Sequence, residues 1–404
     1  MEQILANDFF SAGIFPQIAF PEAYPSMLSF LIACFLSVIS IPIIINMSNL
    51  LNLTAKPGFR SSHTNATPTL GGIAIFASTL LSFFLWPHLN EPQDTTLIGY
   101  SMVGLIMLFF LGLKDDILAL DSTKKLMVQI AAAMTLVLLG NFKVDYLFGI
   151  FGWFFISDWI SIPLTIMIFI AITNSINLID GIDGLAGGIS LIASLGFGFW
   201  FLLNEHYAFA CLAFALSGSL LGFLRFNFSK TSKIFMGDTG SLVVGFLLSF
   251  FSVAFIRLNI SYRHDPAVFF NAPIIVMVLL IVPIFDTLRV FIVRILKGKS
   301  PFIADRNHMH HILLDNGMNH FWASFTLWCT TIVNMLLFFR FHGSISNTMS
   351  LYIYIALFFV YLFASFILKQ RARALKYKKL SPSDKKFSIE TPKLSATKRI
   401  LKNL

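Results

Sequence analysis

Charge is scarce in this chain: 12% of its 404 residues are Asp, Glu, Lys or Arg, against 56% hydrophobic and 15% aromatic. With a mean hydropathy of +0.78, that scarcity excludes a soluble globular domain and leaves a polytopic membrane protein. Cysteine is scarcer still. Cys34, Cys211 and Cys329 lie far apart inside apolar runs, which argues against a disulfide framework and a cysteine metal site. The first 25 residues carry Glu2, Asp8 and Glu22 but no Lys or Arg, so the positive start of a signal peptide is missing and a short interfacial segment is expected there. No internal repeat and no separate soluble domain is evident, and nothing points to nucleic acid.

What the chain has in abundance is apolar runs of membrane-spanning length, for which about 20 residues suffice. They fall near 26–46, 70–89, 96–113, 124–141, 160–178, 184–203, 206–225, 240–258, 271–296, 321–340 and 349–368. The expectation is therefore an all-α polytopic protein of about eleven transmembrane helices. The segment 146–156 is too short to span, carries two glycines and reads as an interfacial or re-entrant piece. Lys and Arg collect on cytoplasmic loops. With the N-terminus outside, outer segments hold only Lys143, Arg257, Arg263 and Arg340, whereas the inner face holds 24 basic residues, 12 of them after Leu368. This assigns residues 1–368 to one integral membrane domain and 369–404 to a basic cytoplasmic tail, which also suits contact with anionic membrane lipids.

The same parity puts five polar clusters on the cytosolic face: Lys56 to His63, Asp115 to Lys125, Asn174 to Asp183, Phe235 to Ser241 and Asp305 to His311. A transporter would gather such residues near mid-membrane; helix ends suit a cytosol-facing catalytic cleft. Asp115 and Asp116 are adjacent carboxylates that repel unless a cation intervenes. A solvated helix end is the bland alternative. The run Asn174-Ser-Ile-Asn-Leu-Ile-Asp-Gly-Ile-Asp-Gly-Leu185 adds two amides, Asp180 and Asp183, without the regular spacing of a calcium loop. In Phe235-Met-Gly-Asp-Thr-Gly-Ser241, Asp238 lies just before a helix, where backbone N–H groups face an anion and a carboxylate can take a metal; a simple helix cap also fits. Hard oxygen ligands favour Mg²⁺, or Mn²⁺, over zinc. Arg306, His308, His310 and His311 suit a diphosphate clamp better than a zinc site, with polar packing the alternative. Lys125 is near enough to reach a phosphate, and Lys56 and Arg60 add positive charge to the same face, a plain positive-inside anchor being the alternative for all three. Asp286, inside a span, has Arg289 at i+3 as its natural partner, forming an ion pair that supports the site, with a direct catalytic role the alternative.

In this order, G-x-x-D-D, N-x-x-N-x-x-D-G-x-D-G-L, F-M-G-D-T-G-S and P-I-F-D-T-L-R resemble the polyprenyl-phosphate N-acetylhexosamine-1-phosphate transferases, from about Lys56 to Gly317. The resemblance implies transfer of a sugar 1-phosphate from a UDP-N-acetylhexosamine to undecaprenyl phosphate, release of UMP, and Mg²⁺ as cofactor. Carried over, Asp115 and Asp116 match the pair that activates or positions the lipid phosphate. Lys125 matches a diphosphate-contacting lysine, Asn177 and Asp238 match metal positions, and Asp183 a position near the uracil. Asp180 shares that loop and joins the expected catalytic set. The string Asp305-Arg-Asn-His-Met-His-His311 looks like the WecA/TagO branch rather than MraY, and points to UDP-N-acetylglucosamine. The expected partners are that nucleotide sugar, undecaprenyl phosphate and membrane lipids, with a homodimer as the candidate assembly. An MraY-type transferase, an intramembrane aspartate-rich prenyltransferase and an ion-coupled transporter are the rivals.

Overall fold

The computed structural model describes residues 20–51, 53–55, 67–86, 92–261, 271–298, 300, 307–341 and 345–379. In chain order its elements are α1 (Phe20–Leu50), β1 (Thr54–Ala55), β2 (Thr67–Pro68), α2 (Gly71–Phe83), α3 (Pro92–Ile117) and α4 (Ser122–Met134). A π-helical turn (Thr135–Leu139) follows, then β3 (Tyr146–Ile150), β4 (Trp153–Phe155), α5 (Asp158–Ile179), α6 (Leu185–Leu203), α7 (Tyr207–Asn227) and α8 (Gly237–Ser261). The chain continues through α9 (Ala272–Leu279), α10 (Ile281–Leu296), α11 (Met309–Asp315), α12 (His320–Phe341) and α13 (Asn347–Lys379).

Each apolar run becomes helical, although not each becomes a full span. Among the described residues, nine helices are long and apolar enough to cross a membrane, and a tenth span exists if α9 and α10 are taken together. The eleventh expected helix, α2, has only 13 residues. At 1.5 Å per residue it extends roughly 20 Å, short of a bilayer core of about 30 Å. The run at 271–296 is not straight either: α9 and α10 meet at 78°. Pro283 lies in the first turn of α10, where its missing N–H costs nothing, whereas in a continuous helix its ring would strike the carbonyl four residues earlier.

Helices α7 and α8 form the centre, each with 89% of its most apolar 18-residue window buried. Both are apolar on every side, the pattern of a helix enclosed by others. Helix α1 packs along α7 at Gly218, where a Cβ would meet the Phe30 carbonyl oxygen at 2.0 Å; small residues of this kind let membrane helices approach closely. Helices α12 and α13 instead leave Leu336, Leu337, Phe359, Val360 and Phe363 exposed, as a lipid-facing surface requires.

The 146–156 segment, too short to span, is a β-hairpin, β3 pairing antiparallel with β4. Gly149 and Gly152 take positive φ at its turn. The turn is pinned to the start of α13 by Asn347 Nδ2, which donates to the Phe148 carbonyl at 2.5 Å, and by Phe151 N, which donates to Thr348 Oγ1 at 3.0 Å. Trp153, Phe155 and Trp159 are exposed around it, the composition of an interfacial aromatic belt. At the other end of the chain, α13 runs unbroken through the expected boundary at residue 368 as far as Lys379.

Candidate active site

Three elements are drawn together by backbone contacts before any catalytic side chain is placed. Gly71 N and Gly72 N donate to the carbonyls of Phe235 and Met236 at 3.0 and 2.9 Å, and Phe235 N donates to the Pro68 carbonyl at 2.8 Å. The chain entering α8 is thus stitched to the start of α2. Helix α3 approaches the same point through Gly112, where a Cβ would meet Thr239 Cα at 2.4 Å. Any side chain at residue 112 would push the Asp115–Asp116 pair away from Asp238.

The two adjacent aspartates then part company. Asp116 turns both oxygens onto the first turn of α8: Oδ1 accepts from Asp238 N at 2.8 Å, and Oδ2 accepts from Thr239 N at 3.0 Å and Thr239 Oγ1 at 2.6 Å. It caps a helix from another helix, satisfying N–H groups that have no intrahelical partner. Asp115 instead accepts from Leu120 N at 2.7 Å and forms an ion pair with Lys125. Lys125 also donates to Asp238 Oδ2 at 2.5 Å, so its ammonium bridges carboxylates of α3 and α8. Asn177, at the end of α5, donates through Nδ2 to Asp238 Oδ1 at 3.0 Å and to Ser241 Oγ at 2.8 Å, leaving its amide oxygen available. One turn back along α5, a reciprocal amide pair, Asn174 with Gln129, holds α4 against α5 at 2.6 and 3.3 Å.

Asp180 closes the cluster. Its carboxyl is pushed up to about 8, first by burial and then by the charges of Asp238, Asp116 and Asp183, so in the bare protein it holds a proton at neutral pH. Asp183 goes the other way: burial alone would raise its pKa, but hydrogen bonds from His320 and Lys233 bring it below the ordinary carboxylate value. Its Oδ2 meets Lys233 Nζ at 2.6 Å and His320 Nδ1 at 2.9 Å. Its Oδ1 is buried without a hydrogen-bond partner among the described residues.

The three histidines of the expected diphosphate clamp are buried. His308 is 5% exposed, His310 1% and His311 9%. His310 is held well below its ordinary pKa, first by burial and then by His311, so it is neutral and brings no charge to a diphosphate. Its Nε2 lies 2.3 Å from where a Cβ on Gly181 would be, directly behind the Asp180 loop. His308 Nδ1 meets Asp286 Oδ2 at 2.8 Å. Arg306, Lys56 and Arg60 lie outside the described residues. Four of the five polar clusters therefore meet at one end of the bundle, and Asp116 and the backbone of Asp238 are in direct contact.

Sequence reasoning overlooked Asn227, Lys233 and His320. Asn227 ends α7 and clasps both site loops, accepting from Gly184 N at 2.6 Å and donating to the Ile234 carbonyl at 2.8 Å. Lys233 was legible as a cation two residues before the Phe235 motif. His320 carried no local signal, since 137 positions separate it from Asp183.

Residues 98–256 match glycosyl transferase family 4. A decaprenyl-phosphate N-acetylglucosaminephosphotransferase of Mycobacterium leprae is 35% identical over 293 residues, covering 68% of this chain and 73% of the relative. The chain belongs to this family. Within it, a Bacillus subtilis protein named "probable undecaprenyl-phosphate N-acetylglucosaminyl 1-phosphate transferase" is 31% identical over 299 residues, 73% of this chain and 78% of the relative. The undecaprenyl-phosphate α-N-acetylglucosaminyl 1-phosphate transferase of Escherichia coli K12 is 28% identical over 277 residues, 66% and 70% of the two chains. These relatives place the chain in the WecA/TagO-like branch of the polyprenyl-phosphate N-acetylglucosamine phosphotransferases.

Proposed function

We propose that this chain transfers N-acetylglucosamine 1-phosphate from UDP-N-acetylglucosamine to undecaprenyl phosphate, at the cytosolic face of a bacterial inner membrane. The observation that carries the reading is the convergence of Asp115, Lys125, Asn177, Asp180 and Asp238 from separate helix ends, in a chain whose family relatives are named for this transfer. The acceptor phosphate has a second pKa near 6 by analogy with phosphoesters and is largely a dianion at neutral pH. One of its oxygens attacks the sugar-linked phosphorus; that P–O bond forms, the bond to the UMP oxygen breaks, and UMP leaves with the electron pair. Positioning and charge neutralisation therefore do most of the catalytic work.

Lys125 supplies the positive charge nearest the attacking and bridging oxygens. Asp115 orients that ammonium, and Asp116 fixes the N-terminus of α8 so that Asp238 stays beside it. The unpartnered Oδ1 of Asp183 suits the imide N–H of a uracil, while Lys233 and His320 hold its other oxygen.

The donor set also fits a magnesium ion. Asp180 carries a proton first because it is buried and then because Asp238, Asp116 and Asp183 are near it, an excess of oxygen anions that a hard divalent cation would offset. Among the described residues no three His, Cys, Asp or Glu side chains already form a metal site. Magnesium asks for less, since one or two carboxylates suffice alongside water and substrate phosphates. Asp238, Asp180 and the amide oxygen of Asn177 would hold it. When bound, the ion supplies charge neutralisation at the diphosphate oxygens.

The test is to incubate the purified protein with undecaprenyl phosphate, Mg²⁺ and a panel of UDP-sugars that includes UDP-MurNAc-pentapeptide, and to identify the lipid product by mass. A lipid-linked diphosphate N-acetylglucosamine with stoichiometric UMP is expected. Release of inorganic diphosphate, or product only from the pentapeptide donor, would overturn the reading.

A further inference from the structure

Asp286 is a carboxylate inside the bent span that the proposed reaction does not use, and it is 2% exposed. A charge at this depth costs a few kcal/mol unless it is partnered. Both of its oxygens are partnered. Oδ1 accepts from Arg289 Nη2 at 2.9 Å, Met309 N at 2.8 Å and the Tyr361 hydroxyl at 3.3 Å. Oδ2 takes His308 Nδ1 at 2.8 Å.

All of these contacts converge on one short stretch. Arg289 Nη2 also donates to the carbonyl of Asn307, whose side-chain oxygen accepts from Lys369 Nζ at 2.6 Å. Two residues of α13, Tyr361 and Lys369, and two of α10, Asp286 and Arg289, thus grip the backbone and ring that enter α11. Further along, Asn316 Nδ2 donates to the Leu368 carbonyl at 2.9 Å. His308 is the only imidazole of the segment whose Nδ1 is held by a carboxylate among the described residues. His310 stacks parallel to it, ring centroids 5.6 Å apart, and itself lies against Gly181 beside Asp180.

We infer that Asp286 is a positioning residue for His308: it holds the ring in the Nδ1–H form and so presents Nε2 to the diphosphate of the nucleotide sugar. The inference rests on the proposed function and deepens it. A carboxylate behind an imidazole fixes both tautomer and orientation, which decides whether the remote nitrogen is the one available. The amide of Asp286→Asn would point its NH₂ at His308 and favour the opposite tautomer, with Nε2 carrying the proton.

The experiment is a double-mutant cycle on the full-length purified enzyme, with UMP release as the readout and thermal unfolding measured in parallel. Asp286→Asn and His308→Ala should each lower kcat about 10- to 100-fold, the scale of losing a support behind a functional histidine. The double variant should be no slower than His308→Ala, because the asparagine keeps Oδ1 for Arg289, Met309 and Tyr361 and its effect on turnover runs through the ring. Multiplicative losses in the cycle would overturn the inference and leave Asp286 a purely structural anchor. His308→Asn gives an arm that does not depend on Asp286→Asn folding: its Nδ2 can still donate to Asp286, but no Nε2 remains. It should unfold at the wild-type temperature and turn over as slowly as His308→Ala, whereas wild-type turnover would overturn the inference by itself. Failure of the proposed reaction shows separately, as a wild-type enzyme that releases no UMP.

Discussion

Replacing Asp116 and Asp115 in turn should split two neighbouring aspartates into different phenotypes. Asp116 accepts three hydrogen bonds from the first turn of α8, and Asp116→Ala would orphan the N–H groups of Asp238 and Thr239. A buried donor left without a partner costs about 1–3 kcal/mol. The Thr239 hydroxyl can rotate to another acceptor, and water can enter the vacated space, so the lower part of the combined range applies, about 2–4 kcal/mol. Against a net stability of order 5–15 kcal/mol, the variant should remain folded with a clearly lowered unfolding midpoint. Asp115→Ala orphans only Leu120 N, beside the exposed Ile117 and Leu118, where water substitutes at a cost of about 1 kcal/mol or less. Lys125 keeps Asp238. Turnover should nonetheless fall about 10²-fold or more in Asp115→Asn, the loss typical of one electrostatic group. Thermal unfolding in detergent, followed by circular dichroism, together with UMP release, gives both readouts. Equal midpoints for the two alanine variants, or a lower one for Asp115→Ala, would refute the capping role.

Asp238→Asn should lower kcat about 10²-fold or more by removing one of the two carboxylates on Lys125; near-wild-type turnover would overturn its placement in the site. Because the Asp180 carboxyl is raised to about 8, the folded state binds a proton there that the unfolded chain releases near pH 4. Stability without metal should therefore fall as pH rises from about 4 to 8. Added Mg²⁺ should expel that proton at pH 7, a release measurable in weak buffer and absent in Asp180→Asn. Asp183 has the opposite sign: its lowered pKa contributes stability that is complete above about pH 4 and fades as pH falls through the folded value. Lys233→Met should shift that loss to higher pH and raise KM for UDP-N-acetylglucosamine, whereas an unchanged KM would remove Asp183 from the nucleotide pocket. Asn227→Leu leaves Gly184 N and the Ile234 carbonyl unpaired in the interior and should cost about 2–4 kcal/mol, read as a lower unfolding midpoint.

The amino-acid order by itself determined which stretches are helical and which helix ends carry chemistry, because both follow from short-range composition. Apolar runs such as 206–225 and 240–258 cannot be hydrated, and Asp115, Asn177 and Asp238 fall at their ends by counting alone. Tertiary structure decided the rest. Asp115 and Asp116 are indistinguishable as neighbours in a string, and only the approach of α8 at Gly112 turns one toward Lys125 and the other into a helix cap. Three histidines in four residues read as part of a diphosphate clamp until burial against Gly181 makes His310 neutral and Asp286 claims His308. The bend at Leu280, the shortness of α2 and the clasp of Asn227 depend on what packs against each segment, and packing across gaps as long as the 137 positions between Asp183 and His320 leaves no trace in local pattern.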